Sequence, residues 1–237
     1  MKKMTHNKCI TLCKQGSEHT FADMNNQDYA IKLPNLKMVL DGCGSCKFSE
    51  VGVKLFAQLF EKKYLDFINT NCSNKLDERN FINIVENVFA KLIGIYETDE
   101  FLSNNLCFTI LVCIETDTDF LVFACGDGYI LANNGEEIEI IKLDDGEFPK
   151  YYAYNYFRDK ELLMEYKDGV EFKVYHFSKS EYVNVGVATD GFRFYEKLNT
   201  IETNKLFTAL KAGKLGQIGM LINRNSQIFK DDISICF

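Results

Sequence analysis

Short apolar runs that meet carboxylates constrain this chain more than any other feature of its 237 residues. Four acidic sites are spread over almost its whole length: Asn26-Gln27-Asp28, Asp41-Gly42, Thr189-Asp190-Gly191 and Asp231-Asp232. Three of them directly precede or follow a β-like run. A fold that brings strand ends together gathers such residues at one point, however far apart they lie in sequence. Gathered carboxylates repel one another unless cations fill the space between them, so the pattern points to a divalent-metal centre of oxygen ligands. Asp-Gly is also a common turn dipeptide, and that is the plainer reading of each site taken alone.

The runs themselves set the architecture. Met38-Val39-Leu40 reads as a short strand ending at Asp41. Ser49-Glu50 then opens a helix to about Lys62, with Val53, Phe56, Leu59 and Phe60 on one face. Residues 70–75 are polar and read as a loop. A second helix is predicted from Asp77 or Glu78 to about Tyr96, because Val85, Val88, Phe89, Leu92 and Tyr96 keep a three-and-four spacing. The period then changes. Residues 106–114 and 120–125 are β-rich and flank a polar turn, a hairpin signal, and 129–132 and 138–141 continue the series around Asn133-Asn134-Gly135. Further strands are expected at 170–177, 182–189 and 233–237, and a helix at 203–215 stopped near Gly213 or Gly216. This order predicts an α+β fold, a β-sandwich of two packed antiparallel sheets flanked by helices on the outer faces. The chain has two prolines and no Pro/Ser/Gly-rich linker, so residues 1–237 are expected to form a single domain. Residues 144–168 lack a clean period and are the candidate for a small flap. The aromatic run 151–157 within them suggests a flap or a partner surface.

Composition excludes several classes. A hydrophobic content of 46% is ample for a core, and a net charge of −7 with a pI near 5.1 argues against nucleic acid as the main partner. The nine cysteines are odd in number and irregularly spaced, and Cys107, Cys113, Cys125 and Cys236 sit inside apolar runs. Reduced, buried thiols explain them better than a disulfide framework. The first residues lack the apolar stretch of a signal peptide, and no run is long enough for a membrane helix, so the expected location is the cytoplasm, with no membrane partner. Cys43-Gly44-Ser45-Cys46 has the spacing of a redox or zinc half-site, but no second pair accompanies it and the helix starts well after it. Small residues in a tight loop remain the simpler reading. His6, His19 and His176 form no ligand motif and read as dispensable; Phe192, Phe194 and Tyr195 read as packing.

Five elements occur in order: Asn26-Gln27-Asp28, Asp41-Gly42-Cys43-Gly44, Gly126-Asp127-Gly128, Ala188-Thr189-Asp190-Gly191 and Lys230-Asp231-Asp232-Ile233-Ser234. Together they resemble the metal-dependent serine/threonine phosphatases of the 2C type, especially the compact bacterial members, over roughly residues 25–235. The resemblance implies hydrolysis of phosphoserine and phosphothreonine in proteins at a dinuclear Mn²⁺ or Mg²⁺ centre with a metal-activated water. It implies that Asp41 bridges the two ions, with the Gly42 carbonyl facing their shell. Asp190 and Asp231 would bind the first ion, and these two with Asp41 form the implied catalytic set. The second ion would be held largely through waters near Gln27 and Asp28. Asp127 would serve a third, weaker position beside Asp190, or simply tighten a hairpin. A phosphoprotein substrate, a cognate serine/threonine kinase and a monomeric state complete the implied picture.

Three positions depart from the pattern. Asp23 stands five residues before Asp28, where better-known members carry an Arg that grips the substrate phosphate; Lys14, Lys32 or Lys47 would have to replace it. Cys43 stands where a proton-donating His often follows the bridging Asp-Gly, and oxidation of this thiol would offer a regulatory route. Gln27 replaces an acid found in many members. These departures, with the aromatic run, keep a second reading open: a catalytically weak or inactive pseudophosphatase that acts as a phosphoprotein- or partner-binding module.

Overall fold

The computed structural model describes residues 11–70, 76–94, 97–144, 149–159, 166 and 168–237. The order begins β1 (Thr11–Lys14), α1 (Ser17–Phe21), β2 (Asp28–Leu33), β3 (Leu36–Gly42), α2 (Ser49–Thr70) and α3 (Glu78–Ile93). A short helix α4 (Asp99–Phe101) runs into a π-turn, Leu102–Leu106. Then come β4 (Phe108–Glu115), β5 (Asp119–Cys125), β6 (Gly128–Asn133) and β7 (Ile138–Leu143). A 3₁₀ turn (Tyr152–Tyr156), β8 (Lys173–Ser178), β9 (Asn184–Ala188) and a 3₁₀ helix (Asp190–Lys197) follow, before α5 (Thr200–Lys211), α6 (Leu215–Arg224) and β10 (Ile233–Cys236). One sheet has the order β1-β10-β9-β6-β7 and the other β2-β3-β4-β5-β8, with antiparallel pairing throughout.

The inner strands β3, β4, β6 and β10 are buried on two faces, which is why their sequences are nearly continuous apolar runs rather than alternating ones. In β4, Ile110, Val112 and Ile114 face α2 and α3, whereas Leu111 and Cys113 face the other sheet. In β6, Ile130 and Ala132 meet them across the sandwich, and Tyr129 and Leu131 face α5 and α6. The order of layers is therefore helix, sheet, sheet, helix. On the outer helices, Val53, Phe56, Ala57, Phe60 and Tyr64 of α2 pack against Phe81, Val85, Val88 and Phe89 of α3. Asp77 caps α3 by accepting from Asn80 N at 2.8 Å.

The structure corrects several sequence expectations. Helix α2 runs eight residues past Lys62, because Tyr64 and Phe67 continue its buried face. Strand β1, helix α1 and the second helix after Gly213, α6, were not anticipated. Residues 71–75, read as loop, lie outside the described residues, as does Tyr96. Gly126-Asp127-Gly128 does not close a hairpin: β5 pairs with β4 and β8, while β6 pairs with β7 and β9. Asp127 instead sits where the chain crosses from one sheet to the other, between two glycines at φ +100° and +134°. The aromatic run is not a projecting surface. Tyr151, Tyr152, Ala153 and Phe157 are buried against α2 and α3, with Tyr152 packed on Phe89 and Phe172. Residues 145–148, 160–165 and 167 of the expected flap lie outside the described residues.

Candidate metal centre

The site forms where the ends of strands from both sheets meet. Asp41 is the second-last residue of β3, directly opposite Asp28 of β2 on one side and Thr109 of β4 on the other. Across the sandwich, β9 pairs with β10, so the 3₁₀ helix opened by Asp190 starts beside the segment that brings in Asp231. Gly191 makes this approach possible: a Cβ there would lie 1.8 Å from the Asp232 carbonyl oxygen. Asp41, Gly42, Asp127, Asp190 and Asp231 line one cavity of about 300 Å³, together with Gln27, Cys43, Tyr151, His19 and Lys230.

Negative charge is concentrated there, with Arg193 pairing to Asp190 and Asp231 but not to Asp41. Burial, and then the carboxylates of Asp28, Asp190, Asp127 and Asp231, hold the Asp41 carboxyl well above the usual range. Asp190 is raised to about 6 by burial, against the pull of Arg193 and with Asp231 and Asp127 adding to the rise. Asp28 is raised chiefly by burial. Its Oδ2 accepts from the Thr189 hydroxyl at 2.7 Å, and its Oδ1 is buried without a hydrogen-bond partner. Such a set favours protons or cations. Among the described residues, no three His, Cys, Asp or Glu side chains close into a preformed cage. A sparse, all-oxygen, water-accessible donor set suits Mn²⁺ or Mg²⁺, which keep several of their waters, and not a closed zinc site. The residues present fit such ions.

Other candidates fall into different places. Gln27 lines the cavity, whereas Asp28 lies behind Asp41 at 2% exposure. Asp23 is exposed at φ 53° in the turn after α1 and is not part of the cavity wall. Lys14, Lys32 and Lys47 are also absent from that wall, and its one lysine, Lys230, is paired with Glu18 at 2.8 Å. The Cys43 thiol is pushed up to about 12, first by its hydrogen bond with Cys46 and then by burial, which keeps it protonated. Sequence reasoning missed two neighbours. His19, set aside as dispensable, lines the cavity with Nδ1 2.9 Å from Asp232 Oδ2, close but not aligned as a hydrogen bond. Arg193 pairs with both Asp190 and Asp231. Neither carried a motif; the Gly16 that lets α1 approach Asp231 was the nearest signal.

A family model, Protein phosphatase 2C, matches residues 15–214. The chain belongs to the protein phosphatase 2C family. By that membership it is a protein serine/threonine phosphatase, a phosphomonoester hydrolase of a class that uses Mn²⁺ or Mg²⁺. No curated protein sequence matches it. Among solved structures, a bacterial serine phosphatase superposes with a TM-score of 0.65 at 15% identity, covering 98% of this chain and 96% of that one. The serine/threonine phosphatase Stp1 from Staphylococcus aureus gives 0.65 at 15% identity, covering 98% and 94%. The catalytic domain of the phosphatase PstP, solved in complex with two manganese ions, gives 0.59 at 12% identity, covering 96% and 95%. At these identities the likeness speaks for the protein phosphatase 2C fold.

Proposed function

We propose that this protein phosphatase 2C member hydrolyses phosphoserine and phosphothreonine in proteins at a dinuclear centre organised by Asp41. The observation that carries this reading is the convergence of the half-buried Asp41 carboxyl, at a strand end, with four further carboxylates. On this reading Asp41, Asp190 and Asp231 would hold the first ion, and Asp41 and the Gly42 carbonyl would hold the second, with Gln27 and Asp28 reaching it largely through waters. Asp127, aimed into the same cavity from the sheet crossing, serves a third position. Bound Mn²⁺ or Mg²⁺ supplies an activated water and neutralises phosphoryl charge. The chain's own residues do the rest. Thr189 accepts from Ser234 N at 2.8 Å and donates to Asp28, fixing the carboxylate behind Asp41. Tyr151 walls the cavity, and its hydroxyl stays protonated because burial raises it far above its usual range. The protonated Cys43 thiol is no nucleophile, so attack is left to water.

The same reading makes residues 1–237 one phosphatase domain acting as a monomer in the cytoplasm on the product of a serine/threonine kinase. It is supported by the family match and by the burial of Cys107, Cys113, Cys125 and Cys236 within the core; no described helix is long and apolar enough to cross a membrane. The test is phosphate release from p-nitrophenyl phosphate and a phosphothreonine peptide at roughly 2–5 mM Mn²⁺, enough to fill weak sites. Metal-dependent release that is lost in Asp41→Asn supports the reading. A folded protein that releases nothing from either substrate overturns it in favour of a binding module.

A further inference from the structure

Arg193 stands outside every role assigned so far, yet it touches two of the carboxylates that line the cavity. Its Nη1 donates to Asp190 Oδ2, and its Nη2 donates to Asp231 Oδ2 at 3.0 Å. The first contact follows from local geometry. A 3₁₀ helix has three residues per turn, so residue 193 lies directly over residue 190. The second contact is tertiary, because Asp231 arrives on the segment that packs against Gly191. The guanidinium also lies over the ring of buried Phe194, with Cζ 5.0 Å from its centroid, which anchors the base of the fork.

Both donations go to Oδ2; Asp231 Oδ1 accepts instead from Asp232 N at 3.0 Å, which still leaves it a second lone pair. A planar guanidinium spans two carboxylates with fixed spacing, which an ammonium on a flexible stem does not do. We infer that Arg193 is a positioning residue for the first metal ion: it clamps Asp190 and Asp231 side by side through Oδ2 of each and leaves a lone pair on each Oδ1 for the ion. This rests on the reading of Asp41, Asp190 and Asp231 as the metal centre. Outer partners of this kind hold ligands in the binding geometry and relieve their mutual repulsion before the ion arrives. The opposite role, a counter-cation that must leave before the ion can enter, reverses the sign of the effect.

The experiment is calorimetric titration of metal-free wild type, Arg193→Gln and Arg193→Lys with Mn²⁺. Melting of each metal-free protein checks the fold, which a half-exposed side chain is not needed to maintain. Clamping predicts that Arg193→Gln weakens the first Mn²⁺ by about 10- to 100-fold, that Arg193→Lys recovers only part of this, and that excess Mn²⁺ restores turnover. An unchanged or tighter affinity in Arg193→Gln, with wild type binding normally, overturns the inference and leaves the metal centre standing. Wild type that takes up no Mn²⁺ overturns both.

Discussion

Asp231 and Asp232 are neighbours in sequence with opposite duties. Both border the cavity, but Asp231 is partly exposed there and pairs with Arg193, whereas Asp232 is 3% exposed and holds the polypeptide together. Its Oδ1 accepts from Gly16 N at 2.8 Å and its Oδ2 from Gln27 N at 2.7 Å. Those bonds tie β1–α1 and the start of β2 to the cavity floor. Asp232→Ala leaves two buried N–H groups unpaired, so it is expected to destabilise by about 2–4 kcal/mol. A urea titration checks this, and a loss below about 0.5 kcal/mol, the range of ordinary surface changes, would remove the structural role. Asp23 makes the converse prediction. Its sequence position suggested a phosphate-facing side chain, but it is exposed and off the cavity wall, so Asp23→Arg is expected to leave KM for p-nitrophenyl phosphate unchanged. A several-fold fall in KM would show that the α1 turn folds over the site. The paired Asp-Asp motif was visible in the sequence, but the split between its members was not, because it depends on Asp232 meeting the N–H groups of Gly16 and Gln27 from the far end of the chain.

At the scale of elements, the 3₁₀ helix after β9 organises one side of the site. Gly191 lets it rest on the Asp232 backbone, and a Cβ there would overlap that carbonyl oxygen. Gly191→Ala is therefore expected to cost several-fold in Mn²⁺ affinity and about 2–4 kcal/mol in stability, as steric insertions into packed backbone do. A variant with wild-type melting and metal binding would contradict this packing. Elements with a strong local period were legible beforehand. Helix α3 and the β4–β5 hairpin fall where spacing put them, since each buries a face set by neighbours close in sequence. Strand β1 was not legible: it has four residues, and its partner β10 lies at the other end of the chain. Helix α6 carries Gly216 and Gly219, which lower helix propensity, and it is held by burial of Ile218, Leu221 and Ile222. For Asp127 a hairpin was one of two readings left open, because Gly-Asp-Gly serves either turn, and only the packing of two sheets decides against it.

For the molecule as a whole, the sandwich brings like charges together at one end of its strands, and this couples stability to pH and metal. In the folded, metal-free protein the carboxyls of Asp41 and Asp190 sit above their usual range, Asp190 at about 6. The folded state therefore binds more protons than the unfolded chain between the unfolded carboxylate range and these raised values. Its stability falls as pH rises through that window. Mn²⁺ binds the deprotonated groups, so its stabilisation grows over the same window and vanishes in acid. At 100 times its dissociation constant it is expected to add about 2.7 kcal/mol near neutral pH. Melting curves at pH 4.5 and 7, with and without Mn²⁺, check the sign, and an equal metal-induced shift at both values would contradict it. The fold, the family and the cluster of carboxylates were readable from five short motifs. The clamp by Arg193 and the approach of His19 depended on tertiary contacts that no motif encodes. The account stands most directly on where the ions sit, which anomalous scattering from crystals grown with Mn²⁺ locates. It predicts one peak enclosed by Asp41, Asp190 and Asp231 and a second between Asp41 and the Gly42 carbonyl. A cavity with no manganese peak, or manganese bound only at carboxylates away from it such as Glu136 and Glu137 in the β6–β7 turn, would contradict it.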